Sequence, residues 1–167
     1  MAAARRNRFA LIAVGLLALA TLAAGYVPAR AGLEGDPCAQ PGAIVGTNSG
    51  NTLLGTSGDD VICGLGGNDT IKGRGGNDLI FGGNGNDKLN GGGGDDEIHG
   101  GLGDDYIRGM VGVDELHGNG GNDSVNGQGG NDTLTGGANR DRLNGGKGAD
   151  SCDAGAHRDD EEVNCEA

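Results

Sequence analysis

The sequence predicts an all-β solenoid, a stack of about six coils, each built from two short strands and two glycine turns. Three observations predict it. From Gly46 to Asp153 the chain divides into twelve consecutive nonapeptides with no insertion or deletion, and a fixed short period is the mark of stacked repeats rather than of a globule. The eighth slot of the nonapeptide is apolar throughout: Leu53, Ile62, Ile71, Ile80, Leu89, Ile98, Ile107, Leu116, Val125, Leu134, Leu143 and Cys152. Glycine makes up 39 of 167 residues, against two Phe, two Tyr, two Met and no Trp. The large side chains of an ordinary core are missing. Collagen is excluded by the lack of a glycine at every third position and by only 3 Pro. A glycine-rich, acidic, aromatic-poor chain otherwise stays disordered, so something besides a core has to hold these coils together.

Residues 1–31 read as a leader. Arg5, Arg6 and Arg8 precede an apolar run from Phe9 to Gly25, and Ala29-Arg30-Ala31 has the A-x-A form of a signal-peptidase site. Cleavage is expected after Ala31, with export to the outside of the cell; an uncleaved anchor is the rival, but the run is short for a membrane span. Loss of this leader removes four Arg and no acid, leaving 24 acids against 8 bases, a formal charge of −16. Such a charge repels nucleic acid and anionic membranes. It favours cations.

Residues 32–45 form an N-terminal cap and residues 154–167 a C-terminal cap with an acidic tail. The four cysteines, Cys38, Cys63, Cys152 and Cys165, are even in number in a chain expected in an oxidising compartment, which points to two disulfides. Of the three pairings, the positions favour Cys38–Cys63 and Cys152–Cys165, because each pair brackets one end of the repeats. A zinc site is the alternative, and it lacks both a C-x-x-C and a suitably spaced histidine.

Within the block at 46–153, slots seven to nine alternate polar, aliphatic and mostly polar, the period of a very short strand with one inward residue. Slot one is Gly in all twelve repeats and slot four in ten, with Ser49 and Asn139 the exceptions. Glycine at both slots is expected to permit positive φ and close backbone approach. Slot six carries the charge: Asp60, Asp69, Asp78, Asp87, Asp96, Asp105, Asp114, Asp123, Asp132, Asp141 and Asp150, with Asn51 in the first repeat. With two repeats per coil, aspartates 18 apart stack at about the 4.7–4.9 Å strand spacing. Bare carboxylates at that spacing repel, and a cation between successive pairs reverses the sign. Carboxylates and turn carbonyls together make an all-oxygen environment that suits Ca²⁺ better than Zn²⁺, copper or Mg²⁺.

The in-phase G-G-x-G-x-D-x-U-x pattern, clearest in GGNGNDKLN at 82–90, resembles the RTX nonapeptide family. The resemblance implies a parallel β-roll, with Ca²⁺ held between adjacent coils by the slot-six aspartates and the carbonyls of the glycine turns. Adjacent aspartates then offer nine full sites, and Asn51 with Asp69 a weaker tenth; sites beside Asn139 and Arg140 are doubtful, since that turn has lost a glycine and gained a positive charge. It also implies that the two cysteine-bearing ends resemble the caps of small secreted relatives. The catalytic domain of the toxins, proteases or lipases that carry such repeats is not expected beside these twelve repeats.

The function expected is therefore non-enzymatic: a secreted, monomeric calcium-binding protein that folds as it binds several ions. The alternative is a calcium-stabilised adhesion or matrix scaffold that presents a strand face to a partner. Outside slot six, His99 and His117 lie 18 apart, as do Glu97 and Glu115, in DDEIHG and VDELHG. They read either as a solvated strand face or as a transition-metal pair. Serines and threonines in outward slots have no triad partners, the G-x-G strings lack the following Lys-Ser/Thr of a phosphate loop, and no EF-hand loop is present. The mixed slot three argues against an ice-binding ladder.

Overall fold

The computed structural model describes residues 35–165, so the leader expected over 1–31 lies outside the described residues. A 3-10 turn at Pro37–Ala39 is followed by fourteen strands. These are β1 (Ile44–Thr47), β2 (Thr52–Leu54), β3 (Val61–Leu65), β4 (Thr70–Gly75), β5 (Leu79–Asn84), β6 (Lys88–Gly93), β7 (Glu97–Leu102), β8 (Tyr106–Val111), β9 (Glu115–Gly120), β10 (Ser124–Gly129), β11 (Thr133–Ala138), β12 (Arg142–Lys147), β13 (Ser151–Gly155) and β14 (Glu161–Val163). Odd-numbered strands form one seven-stranded sheet and even-numbered strands another. Every pairing is parallel, and the registers Ile80↔Ile98, Ile98↔Leu116 and Leu89↔Ile107 are offset by 18 residues, two repeats per coil.

The chain therefore winds as the two-strand coils that its repeats predict and as the parallel β-roll that the resemblance implies, but with seven turns rather than about six. The added turn comes from the caps. Ile44 extends the slot-eight column by pairing with Ile62, and β14 continues the even sheet by pairing with β12. That last coil is one residue longer, since Arg142 pairs with Glu161 and Leu143 with Glu162. Glu162 stands where an aliphatic would, and its Oε1 accepts the Ala154 N–H at 2.8 Å.

Strands are longer than slots seven to nine, because each runs on through slots one to three of the next repeat. In β7, for example, Ile98 and Gly100 are buried while Glu97 and Leu102 are exposed. Period-2 alternation thus turns slots six, eight and one inward in succession, and Asp, aliphatic and Gly share the interior. Ile62, Ile71, Ile80, Leu89, Ile98, Ile107, Leu116, Val125, Leu134 and Leu143 are at most 1% exposed. They make a column one side chain wide from each sheet, so every coil depends on its neighbours.

The turn geometry corrects one expectation. Slot four does take positive φ, as at Gly85 (125°) and Asn139 (77°), but the second such position is slot two, not slot one. Slot two tolerates Leu65, Arg74, Met110, Asn119 and Gln128 at φ between 74° and 93°. Slot one is glycine for want of space: a Cβ on Gly82 would stand 2.5 Å from Asp87 Oδ2 and 2.5 Å from the Gly100 carbonyl of the next coil.

Disulfides close both ends in the expected pairing. Cys38–Cys63 ties the 3-10 turn to β3 and Cys152–Cys165 ties β13 to the chain after β14, with Cα separations of 6.0 and 5.8 Å. Loops of this size contribute roughly 3 kcal/mol when closed. Reduction in saturating Ca²⁺ is expected to free the amides of β1, β13 and β14 for hydrogen exchange while those of β6 to β9 stay protected; uniform loss of protection would show that the caps hold the whole stack.

Candidate metal centre

Each slot-six aspartate sits at the end of a glycine turn and points back into it, because slot six belongs to the inward set. Its two oxygens have different fates. Oδ1 accepts the backbone N–H of the aspartate one coil earlier: Asp60 to Asp78, Asp78 to Asp96, Asp96 to Asp114, Asp114 to Asp132 and Asp132 to Asp150 along one edge, at 2.9–3.0 Å. Along the other edge the donors are Asn51 to Asp69, Asp69 to Asp87, Asp87 to Asp105, Asp105 to Asp123 and Asp123 to Asp141, at 2.6–2.9 Å. Oδ2 is buried without any hydrogen-bond partner in Asp69, Asp78, Asp87, Asp96, Asp105, Asp114, Asp123, Asp132, Asp141 and Asp150. Buried anionic oxygens left unpaired are costly.

The two ladders bring together ten of the eleven predicted aspartates in one chemical state. Asp60 differs: it is only half-buried, and its Oδ2 accepts the Thr56 N–H at 2.6 Å and the Thr56 hydroxyl at 3.0 Å. Asn51 closes its own turn in the same way, accepting from Thr47 N–H at 2.6 Å. Arg140 is exposed in slot five, with only its backbone N–H engaged, on Asn122 Oδ1 at 3.3 Å.

Two features escaped the sequence reading. Asp160 in the C-terminal cap accepts the Asp141 N–H through Oδ1 at 3.0 Å and buries an unpartnered Oδ2, so it continues the second ladder by one rung. Its signal was masked by the inserted residue, which puts it 19 rather than 18 after Asp141. Slot five, Asn or Asp in eight of twelve repeats, forms an outer ladder of the opposite sense. There Asn68 Oδ1 accepts from Asn86 N–H at 3.0 Å, Asn86 from Asp104 at 3.1 Å, and Asp104 from Asn122 at 2.8 Å. The enrichment was visible, but with no geometry it carried no role.

Burial pushes the carboxyls of the inner ladders above the usual range. The accepted backbone N–H opposes this and the neighbouring carboxylates add to it, leaving Asp105 raised to about 8, Asp96 and Asp123 to about 7, and Asp87 and Asp114 to about 6. Repelling carboxylates in a dry turn are the setting in which a bound cation is most favoured. The residues fit calcium: the orphaned Oδ2 atoms are hard oxygen donors, and the Cβ-free face of slot one leaves them and the Gly100-type carbonyls facing one space.

The profile of the RTX calcium-binding nonapeptide repeat matches in overlapping copies that run without a gap from residue 45 to residue 159. The chain belongs to this family. Its repeats thus carry calcium-binding character as a class, and the β-roll is the structural, calcium-binding part of such proteins. No curated protein and no solved structure gives a significant match.

Proposed function

We propose that this RTX chain is a secreted calcium-binding protein without a catalytic role, which leaves the cell through its 1–31 leader and folds outside on binding several Ca²⁺ ions. The row of buried, unpartnered Oδ2 atoms carries this reading. Adjacent rungs with both Oδ2 atoms free define the sites: Asp69–Asp87, Asp87–Asp105, Asp105–Asp123, Asp123–Asp141 and Asp141–Asp160 on one edge, and Asp78–Asp96, Asp96–Asp114, Asp114–Asp132 and Asp132–Asp150 on the other. Five and four make nine; the Asp60–Asp78 rung is left out because Thr56 occupies Asp60. Calcium bound there supplies positive charge between like charges, and its binding energy becomes folding energy. Extracellular modules bind at about 10⁻⁴–10⁻³ M, so export from a low-calcium cytosol is itself the trigger.

Metal analysis of residues 32–167 after dialysis against millimolar Ca²⁺ tests the site count. About nine ions per chain are expected, and the same number of Mg²⁺ ions retained after dialysis against millimolar Mg²⁺ alone would count against calcium. In Asp105→Asn the Oδ1 bond to Asp87 can persist, but the amide nitrogen replaces the free oxygen, so two ions fewer are expected. An unchanged count would remove Asp105 from the site. Protein of the culture medium whose sequence starts at Gly32 supports export; retention in the cell overturns it.

One observation favours a scaffold role beside this. Lys72, Arg74, Lys88, Arg108, Arg142 and Lys147 all lie on strands of the even sheet, whereas strands of the odd sheet carry no Lys or Arg. Thr70, Lys72, Lys88, Asn90, Tyr106 and Arg108 line a shallow depression there, with the Arg108 guanidinium 5.1 Å from the Tyr106 ring centroid. Recovery of one partner from the native cell surface, in calcium but not in chelator, and its loss in Lys88→Glu/Arg108→Glu, would establish that role.

A further inference from the structure

The other sheet carries nitrogen donors, which calcium does not take. Strands β7 and β9 pair with Glu97 opposite Glu115 and His99 opposite His117, so four side chains form a two-by-two block on the outer face. The imidazoles stack with centroids 4.7 Å apart and planes at 11°, and Phe81 of β5 stacks beneath His99 at 5.0 Å and 7°. His99 Nε2 lies 2.9 Å from Glu97 Oε1, and His117 Nε2 lies 3.2 Å from Glu115 Oε1. The rings are largely covered, with 26% and 20% of the side chain exposed, while the two carboxylates are 52% and 59% exposed. A solute ion can therefore reach the oxygens first.

We propose that this block is a second metal site, specific for a divalent transition ion of the Zn²⁺ type and separate from the aspartate ladders. The donor set decides the class: two imidazoles and two carboxylates suit borderline ions, whereas calcium takes oxygens alone. Each imidazole already lies within hydrogen-bonding reach of the carboxylate on its own strand, and a bound metal would take the place of the shared proton. Among the described residues no group of three or more His, Cys, Asp or Glu side chains stands arranged to hold a metal ion, so the four donors have to reorient on binding. Binding requires each imidazole to turn about its side chain out of the parallel stack toward the shared ion. The site is single, since the next residues along both rows are Leu79 and Phe81 on one side and Thr133 and Thr135 on the other. With no Lys or Arg on the strands of this sheet, no strand Lys or Arg competes for the carboxylates. Bound metal would staple two successive coils at the middle of the stack.

Residues 32–167 without a histidine tag, held in millimolar Ca²⁺, are titrated with Zn²⁺ by calorimetry and with Co²⁺ by visible absorption. One equivalent is expected, with the intense d–d bands of four-coordinate cobalt. Affinity should fall by more than about tenfold in His99→Gln and in His117→Gln and hold in His157→Gln. Long-range ¹H–¹⁵N spectra of the unmutated protein give an answer free of any folding defect: Zn²⁺ should shift the Nε2 resonances of both His99 and His117. Absence of binding in calcium, binding that survives both substitutions, or Zn²⁺ that only displaces Ca²⁺ would each overturn the proposal.

Discussion

Gly82→Ala is expected to break the solenoid at its third coil, although it adds one methyl group to a residue with no required positive φ. The new Cβ would lie 2.5 Å from Asp87 Oδ2 and 2.5 Å from the Gly100 carbonyl. One of these is a ladder rung and the other is the backbone of the next coil, so neither can yield without opening the stack. Overpacking costs about 1–3 kcal/mol where side chains can adjust, and here the obstacle is main chain. Calcium held on either side of Asp87 should be lost with it. Gly93→Ala is the matched comparison. Gly93 faces open space, with nothing within 4 Å of an added Cβ and an ordinary φ, so its effect should stay within about 0.5 kcal/mol. Melting of the two variants in calcium separates them; equal losses would mean that slot one is not glycine for reasons of space.

The second large effect is a reversal of pH dependence by calcium. In the metal-free coil burial raises Asp105 to about 8, Asp96 and Asp123 to about 7, and Asp87 and Asp114 to about 6, from an ordinary value of 3.8. Groups raised on folding bind more protons folded than unfolded, so their contribution is fully present below about pH 4 and is lost as pH rises through 6 to 8. Without calcium, the coil should therefore gain structure on acidification from pH 8 toward pH 5. With calcium the order inverts, since the ion needs the deprotonated carboxylates and displaces their protons. The calcium concentration at half-folding should rise more than tenfold over the same span. Circular dichroism at fixed pH steps, in chelator and in calcium, reads both arms. A calcium midpoint independent of pH would show that the raised carboxyls are not the ligating groups.

Much of this was legible in the sequence because it repeats in phase. The slot-eight column from Ile62 to Leu143 and the coil of two repeats follow from spacing alone, and the position of Cys38 and Cys152 at the margins placed the disulfides. What the period could not convey was direction. Slot one looked like a turn glycine, yet its role is set by Asp87-type carboxylates folding back across their own turn. Slot two accepts Leu65 and Met110 at positive φ, so composition concealed a left-handed position where glycine is not demanded. Asp60 carries the right residue at the right slot, and Thr56, two slots into the same turn, takes the oxygen it would offer. Asp160 is the converse, a rung that the inserted residue moved out of phase. Both exceptions occur in the end coils, where the chain trades periodicity for closure.

The central claim is that calcium between aspartate rungs converts a chain with little core into a folded stack. Far-UV circular dichroism of residues 32–167, with disulfides intact at neutral pH, tests it most directly when titrated with Ca²⁺ and, separately, with Mg²⁺. A disordered spectrum is expected in chelator, with a cooperative change to β structure in millimolar Ca²⁺ and no such change at the same concentration of Mg²⁺. A spectrum that is already β in chelator at neutral pH, or that stays unchanged in millimolar Ca²⁺, would contradict it.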